Sequence, residues 1–388
     1  MNIGFFTDTY TPQVNGVVVS LDIFKKELEK QGHTVHIFAP TAPGYKSGTD
    51  KAKNITRFKS FKFIIRPELR VAIPFSWKIL KEIPKLKLDI IHSHTPFNLG
   101  VLALIISRLQ NIPLVYTYHT FYSEFIKYYL WKGKVITPKM IERMTTFYCN
   151  RCQTTIIPSL KMEKTLYGIK IKRGIKVLST GVDLDRFKHI PRNNFRKKYN
   201  ICPKARVLIF VGRFAGEKNI EFLIRATKEI SLKVDNIHLL LVGDGHYKKR
   251  LITLINNLKI KERVSFTGFI SREEVAKAYQ SSDVFVFSSK TETQGLVVLE
   301  AAASGLPIVL VKDLAFKDVL INGVNGYETE EEIGEYSNMV IKVLEDKKNY
   351  KKMSYNSKII AENFDISKQT ERLVNLYSEL CLDKKQDR

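Results

Sequence analysis

Four cysteines in 388 residues, at positions 149, 152, 202 and 381, are too few and too scattered for a disulfide framework, which fits a reducing compartment. No run of about twenty apolar residues occurs, and the longest apolar stretch, residues 99–107, falls far short of a membrane span. The opening Met1-Asn2-Ile3-Gly4-Phe5-Phe6 runs straight into a strand pattern without a basic n-region or a cleavage site. The chain is therefore expected neither to cross a bilayer nor to be exported by that route. Low-complexity tracts and repeats below domain scale are absent. Acidic residues are scarce: 39 Asp and Glu against 63 Lys and Arg give a formal charge of +24 and a pI near 9.7. Such an excess attracts polyanions, nucleic acid and anionic lipid alike.

The length is generous for one core and comfortable for two domains. Residues 3–6, 34–38, 90–94, 114–117 and 155–157 in the first half read as strands, as do 207–212, 239–243, 265–269, 284–287 and 308–311 in the second. Helical periodicity, as over 19–30, lies between them. This alternation predicts an α/β protein with parallel sheets covered on both faces. The pattern starts afresh near residue 200. Gly181-Val182-Asp183-Leu184-Asp185-Arg186-Phe187 and the polar, basic residues 188–200 form the expected hinge, placing the domains at 1–188 and 189–366. The C-terminal segment is expected to be helical.

The most informative string is Thr291-Glu292-Thr293-Gln294-Gly295-Leu296-Val297-Val298-Leu299-Glu300-Ala301. A strand precedes it, and a helix from Gly295 onward leaves the N–H groups of Gly295 and Leu296 free to hold a diphosphate. An unbroken helix would set the two carboxylates roughly 12 Å apart. That exceeds the ~5–9.5 Å of a glycosidase pair and suits one carboxylate at a sugar and one at a ribose. The plain alternative is an amphipathic helix with a capping Glu. Arg213 and Lys218 follow the strand 207–211, where a parallel sheet binds ligands, and are candidates to meet charge building on a leaving phosphate. Each is otherwise one of many surface cations. Gly16 closes the first strand loop, where a missing Cβ admits close approach, or is a simple turn glycine. His119 ends the strand 114–118, placed to hydrogen-bond a sugar hydroxyl or modulate the acceptor, with a structural histidine as the alternative. His94 is a weaker candidate of the same kind. Gly245, in Gly243-Asp244-Gly245, shapes a base or phosphate pocket or merely turns the chain.

Two strings are set aside. Asp183-Leu184-Asp185 has the form of a divalent-metal motif but lies in the expected hinge. Cys149-Asn150-Arg151-Cys152 has zinc or redox spacing without a second pair or a histidine cluster to complete four ligands. No metal or other cofactor is expected to be required, because Arg213, Lys218 and helix N-termini offset the diphosphate charge.

Over nearly its whole length the chain resembles glycosyltransferase family 4. The resemblance rests on Asn15-Gly16, Ser93-His94, Tyr118-His119, Gly181-Val182-Asp183, Gly212-Arg213-Phe214-Ala215-Gly216-Glu217-Lys218-Asn219, Val242-Gly243-Asp244-Gly245 and the paired-Glu segment. It implies a retaining enzyme with two facing Rossmann-like domains, the B-type fold, and a last segment, 367–388, packed back on the first domain. It also implies Arg213 and Lys218 on the donor diphosphate, Glu300 on ribose hydroxyls, Glu292 by the donor sugar and Gly16 toward the phosphates. His119 and Glu292 are then the catalytic candidates. Within the family, the opening and the Thr-Gln-Gly-Leu-Val-Val-Leu-Glu stretch are most similar to bacterial 1,2-diacylglycerol 3-glucosyltransferases. That similarity implies UDP-glucose as co-substrate, a lipid acceptor and a same-side mechanism.

Two stretches suit a membrane surface. Residues 57–87 hold nine Lys or Arg against Glu68 and Glu82, interleaved with Phe61, Phe63, Phe75 and Trp77 and broken into short pieces by prolines. Residues 121–132 carry six aromatics. Core packing is the alternative for both. The expected location is the inner face of the cell membrane, peripherally bound from the cytoplasm. Open alternatives are UDP-galactose as donor, or a phosphoinositide, glycan or glycosylated lipid as acceptor. A nucleic-acid-binding protein is disfavoured, since no binding module is recognisable and the basic residues are spread through an enzyme-like pattern.

Overall fold

The computed structural model describes residues 1–13, 15–50, 53–63, 66–121, 137–168, 171, 174–188, 194–289 and 291–386. They form two units, Met1–Gly181 completed by Ile366–Arg388, and Val182–Asp365. Each is an α/β unit built on a largely parallel sheet.

The first unit contains β1 (Asn2–Phe6), β2 (Thr34–Pro40), β3 (Gly48–Asp50), β4 (Ile55–Phe58), the hairpin β5 (Ser60–Phe63) and β6 (Arg66–Ala72), β7 (Ile90–Ser93), β8 (Leu114–Thr117), β9 (Thr154–Ile157) and β10 (Ile175–Val177). Outside the hairpin these strands lie in the order β10-β9-β8-β7-β1-β2-β4-β3, with only β3 antiparallel among the described pairs. Alternate side chains enter two separate cores, as the period of two in a strand requires. Ile3, Phe5, Ile90, Val115 and Ile156 pack with α1 (Gly16–Lys30) and the C-terminal helix (Ile366–Gln386). Phe6, Ile91, Leu114, Tyr116 and Ile157 pack with α2 (Trp77–Glu82), α3 (Asn98–Leu109), α4 (Pro138–Cys149) and α5 (Leu160–Gly168).

Helix α1 starts where Asn15 Oδ1 accepts from Val18 N at 3.0 Å, and it buries Val18, Leu21, Phe24 and Leu28 as one apolar stripe. Helix α3 is capped from a distance. Leu99 N donates to Asp8 Oδ1 at 3.1 Å, and Thr95 Oγ1 donates to Asp8 Oδ2 at 2.6 Å. Burial raises the Asp8 carboxyl against these bonds.

The second unit contains β11 (Arg206–Val211), α6 (Ile220–Ile230), β12 (Ile237–Val242), α7 (Lys248–Asn257), β13 (Val264–Gly268), α8 (Arg272–Gln280), β14 (Val284–Phe287), α9 (Leu296–Ala303), β15 (Ile308–Val311), β16 (Gly326–Thr329), α10 (Ile333–Glu345) and α11 (Lys347–Glu362). Its sheet runs β13-β12-β11-β14-β15-β16, all parallel. Strands β11, β12, β14 and β15 are buried almost throughout, because helices cover both faces.

Strand order reverses between β1 and β7 in the first sheet and between β11 and β14 in the second. Outside the carboxyl ends of the strands at such a reversal, adjacent loops part in opposite directions and leave a crevice for ligands.

The boundary expected after residue 188 falls instead after Gly181. Val182, Leu184 and Phe187 belong to the core of the second unit, where Gln280 Nε2 donates to the Phe187 carbonyl at 3.0 Å. The apolar side chains of the expected hinge are thus anchors. The other boundary lies between Asp365 and Ile366.

Of the membrane-surface stretches, 57–87 is half core: Phe58, Ile79 and Ile83 are buried, while Phe61, Phe75 and Trp77 are exposed. In the other stretch Phe121 is buried, and residues 122–132 lie outside the described residues.

Candidate active site

The loops after β11 and β14 bring two of the expected residues together. Lys218 Nζ forms an ion pair with Glu292 Oε1, the two side chains only 19% and 14% exposed. The loop that carries Lys218 is stitched to the end of β14. Ser288 Oγ donates to the carbonyls of Lys218 at 3.1 Å and Asn219 at 2.9 Å, and Ser289 Oγ donates to that of Glu217 at 3.2 Å. Both serines are fully buried. An ammonium and a carboxylate are thereby held at the point where strand order reverses. Arg213, the other expected cation, pairs with Glu217 at 2.8 Å. Sequence reasoning did not single out Glu217, which reads in the string as an ordinary surface acid.

Gly295 is the N-cap of α9 and has φ +70, the left-handed region that favours glycine. A Cβ there would lie 2.4 Å from Phe316 Cε1. This geometry corrects the premise of one helix from Glu292 to Glu300: α9 begins at Leu296, so the rise of a continuous helix does not set the carboxylate separation. Glu300 has partners of its own. Tyr279 Oη donates to Glu300 Oε2 at 3.1 Å and also reaches the Val297 carbonyl at 3.1 Å. Burial raises the Glu300 carboxyl, opposed by the Tyr279 bond and by the charges of Arg272 and Arg186. Tyr279, wholly buried on α8, was missed because a core aromatic in a helix carries no mark of a second use.

Because the folded protein favours the protonated form, Glu300 costs stability once it ionises. Above the unfolded value near 4.5 the cost grows as pH rises through the folded value, and below it both states hold the proton. Glu300→Gln is therefore expected to raise the melting temperature of the ligand-free protein at pH 8 relative to wild type. Thermal melts at pH 4 should show that gain shrinking, and a gain independent of pH would count against a raised Glu300 carboxyl.

Gly245 serves the chain's own packing. A Cβ on it would stand 2.2 Å from the Phe214 carbonyl oxygen, and one on Gly243, at φ +131, would stand 2.0 Å from that of Gly212. The turns after β11 and β12 touch there, Phe214 N donating to the Asp244 carbonyl at 2.9 Å. Asp183 and Asp185 meet Arg186 at 3.4 Å and Lys188 at 3.2 Å. Cys149 and Cys152 are free and buried, and burial pushes the Cys149 thiol up to about 12. Among the described residues no cluster of three or more His, Cys, Asp or Glu is placed to hold a metal.

In the first unit Gly16 opens α1, and a Cβ on it would meet nothing within 4 Å. His119, just past β8, lies in a row of imidazoles. His94 Nδ1 and His119 Nε2 are 3.0 Å apart; the rings of His92 and His94 stack at 4.2 Å, and those of His94 and His119 at 5.3 Å. His92 is held by Thr117 Oγ1 at 2.6 Å and by Tyr377 Oη of the C-terminal helix. Burial is the chief cause that pushes all three down, His119 to about 3 and the others well below their ordinary value, so the row is uncharged near neutrality.

The proton positions follow from the hydrogen-bond inventory. Among the described residues, the buried His94 Nε2 has no hydrogen-bond partner. An orphaned N–H is rarer than an orphaned acceptor, which places the His94 proton on Nδ1, donating to His119 Nε2. With that assignment His119 Nε2 accepts from His94, and the neutral His119 ring carries its proton on Nδ1.

The profile of Glycosyltransferase Family 4 matches residues 14–186, and that of Glycosyl transferases group 1 matches residues 191–359. The chain is 37% identical over 314 residues to alpha-monoglucosyldiacylglycerol synthase of Streptococcus pneumoniae, covering 80% of this chain and 70% of that one. It is 32% identical over 340 residues to the enzyme of the same name from Acholeplasma laidlawii, covering 84% of each. The structure of Anabaena HepE in complex with UDP and glucose superposes with a TM-score of 0.79 over 98% of this chain and 100% of that one, at 21% identity, which speaks to fold alone. Two parallel sheets with reversal points, and relatives similar over most of their length, lead to one assignment: the chain belongs to glycosyltransferase family 4, the retaining sugar transferases of the B-type fold.

Proposed function

We propose that the enzyme moves glucose, with retention, from UDP-glucose to the free hydroxyl of diacylglycerol at the inner face of the cell membrane, producing an α-glucosyl glycolipid. The observation that carries this reading is the Lys218–Glu292 pair at the reversal between β11 and β14. It sets a cation suited to a departing diphosphate beside a carboxylate suited to sugar hydroxyls. The similarity to two alpha-monoglucosyldiacylglycerol synthases supports glucose and diacylglycerol as the substrates.

The residues take the following roles in this reading. Lys218 and Arg213 neutralise the diphosphate, joined by the N–H groups of Gly295 and Leu296 at the start of α9. Glu300, backed by Tyr279, accepts from ribose hydroxyls, and Glu292 accepts from the sugar. Gly16 leaves open space toward the phosphates, and Gly245 keeps the β12 turn close to that of β11. His119 donates from Nδ1 to a substrate hydroxyl. The bond from the anomeric carbon to the diphosphate breaks with its electron pair passing to the phosphate oxygen. The acceptor oxygen then bonds to the anomeric carbon from the same side, and its proton goes to that phosphate oxygen. With two cations on the diphosphate, no divalent metal is required.

Incubation with radiolabelled UDP-glucose or UDP-galactose, with and without diacylglycerol, in the presence of a chelator, tests the reading. Label is expected in a lipid only with UDP-glucose and diacylglycerol together. Labelling from UDP-galactose alone, or none without added metal, would overturn the donor or the metal assignment respectively.

A further inference from the structure

The two helix layers of the first unit differ on their outer sides. The layer of α1 and the C-terminal helix exposes one large apolar residue among those described, Leu382. Its charges balance on α1, where Lys25, Lys26 and Lys30 stand against Asp22, Glu27 and Glu29.

Helices α3 and α4 are built the other way. Val101, Ile105 and Leu109 recur every four residues along α3 and are 46%, 49% and 80% exposed. Met140 and Phe147, seven apart on α4, are each 53% exposed. Residues at these spacings share one helix face, so each helix carries an outward apolar ridge. Tyr148 Oη of α4 donates to the Gly100 carbonyl of α3 at 2.9 Å, which ties the two helices together on their buried sides. Arg108, Lys139 and Arg143 are exposed on these helices, against Glu142 as their acid. Arg151, just past α4, lays its guanidinium over the Phe147 ring at 3.3 Å.

We propose that this ridge pair is the surface on which the enzyme lies against an anionic bilayer, with the apolar side chains entering at headgroup depth and the cations meeting lipid phosphates. An apolar strip edged by cations has the composition of an interfacial helix, and such a patch calls for a partner. Charge decides which partner. A second copy paired about a two-fold axis would set the same cations against one another, whereas anionic lipid neutralises them. The surface is distinct from residues 57–87 and 121–132, and it rests on the reading that the acceptor is a membrane lipid.

The test is sedimentation of the full chain with phosphatidylcholine vesicles of graded phosphatidylglycerol content. Ile105→Asp with Leu109→Asp is expected to cut partitioning at least about 10-fold, and Lys139→Glu with Arg143→Glu about 10- to 100-fold. Leu382→Asp, on the opposite layer, should leave it within about 2-fold. All four positions of the two double variants are exposed, and circular dichroism melts confirm folding. Transfer to dioctanoylglycerol dispersed in nonionic detergent should persist in every variant. Wild-type partitioning by both double variants, or a wild-type dimer that the aspartates split, overturns the proposal. If the double variants lose vesicle binding while no variant glucosylates dispersed diacylglycerol, the surface stands and the acceptor reading falls. Glucosylation with unchanged vesicle binding gives the reverse.

Discussion

Lys218→Ala is expected to lower kcat about 100- to 1000-fold, the loss typical of removing one preorganised partner of a developing anion. The charge on the departing diphosphate is small in the ground state and full in the transition state, so the ammonium acts chiefly on kcat. Truncation also leaves Glu292 facing the site without its cation, in a place where its side chain is 14% exposed. The two losses are therefore coupled. Glu292→Gln alone, Lys218→Ala alone and the double variant, compared in single-turnover transfer, should show the double variant far less impaired than the product of the singles. UDP binding by calorimetry separates the terms, with Lys218→Ala weakening UDP less than it slows transfer. A fall of less than a few-fold in kcat would remove Lys218 from the leaving-group role.

The second large effect concerns His119. His119→Ala should reduce kcat by roughly 100-fold, within the range of a lost positioned donor, with little change in the donor KM. Because burial holds His119 near 3, the wild-type rate should show no histidine titration between pH 5 and 8. The His94 variants probe the assigned tautomer. Asn places an amide donor where Nδ1 stood, and Phe preserves only the ring stack. His94→Asn should keep most of the rate and His94→Phe should approach His119→Ala. Imidazole nitrogen shifts of ¹⁵N-histidine-labelled protein would report the tautomer directly, and a His119 proton found on Nε2 would reverse the donor assignment.

The long apolar strands were legible because parallel strands covered on both faces become continuous runs such as Val207-Leu208-Ile209-Phe210-Val211. Strands β3 and β10, Gly48-Thr49-Asp50 and Ile175-Lys176-Val177, were not, since three half-polar residues at a sheet edge carry no period. The cations after β11 and the paired carboxylates were readable from their place beside strands. Their partnerships were not. That Lys218 meets Glu292 depends on β14 lying next to β11, a neighbour relation between strands far apart in the chain. The histidine row likewise needs the register of β7 against β8, in which His92 pairs with Val115, before three scattered imidazoles become one stack.

Tyr377, the residue that holds His92, belongs to the final helix, yet the sheet it completes begins at Asn2. A ribosome therefore delivers all of Val182–Asp365, and releases it to fold, before the first unit receives its last wall. Until Ile366–Gln386 emerge, the Val18, Leu21 and Phe24 side of α1 has the sheet but not its covering helix, and a nascent chain stalled short of residue 377 should be the form that chaperones hold longest. In this protein the N-terminal half is synthesised first and finished last.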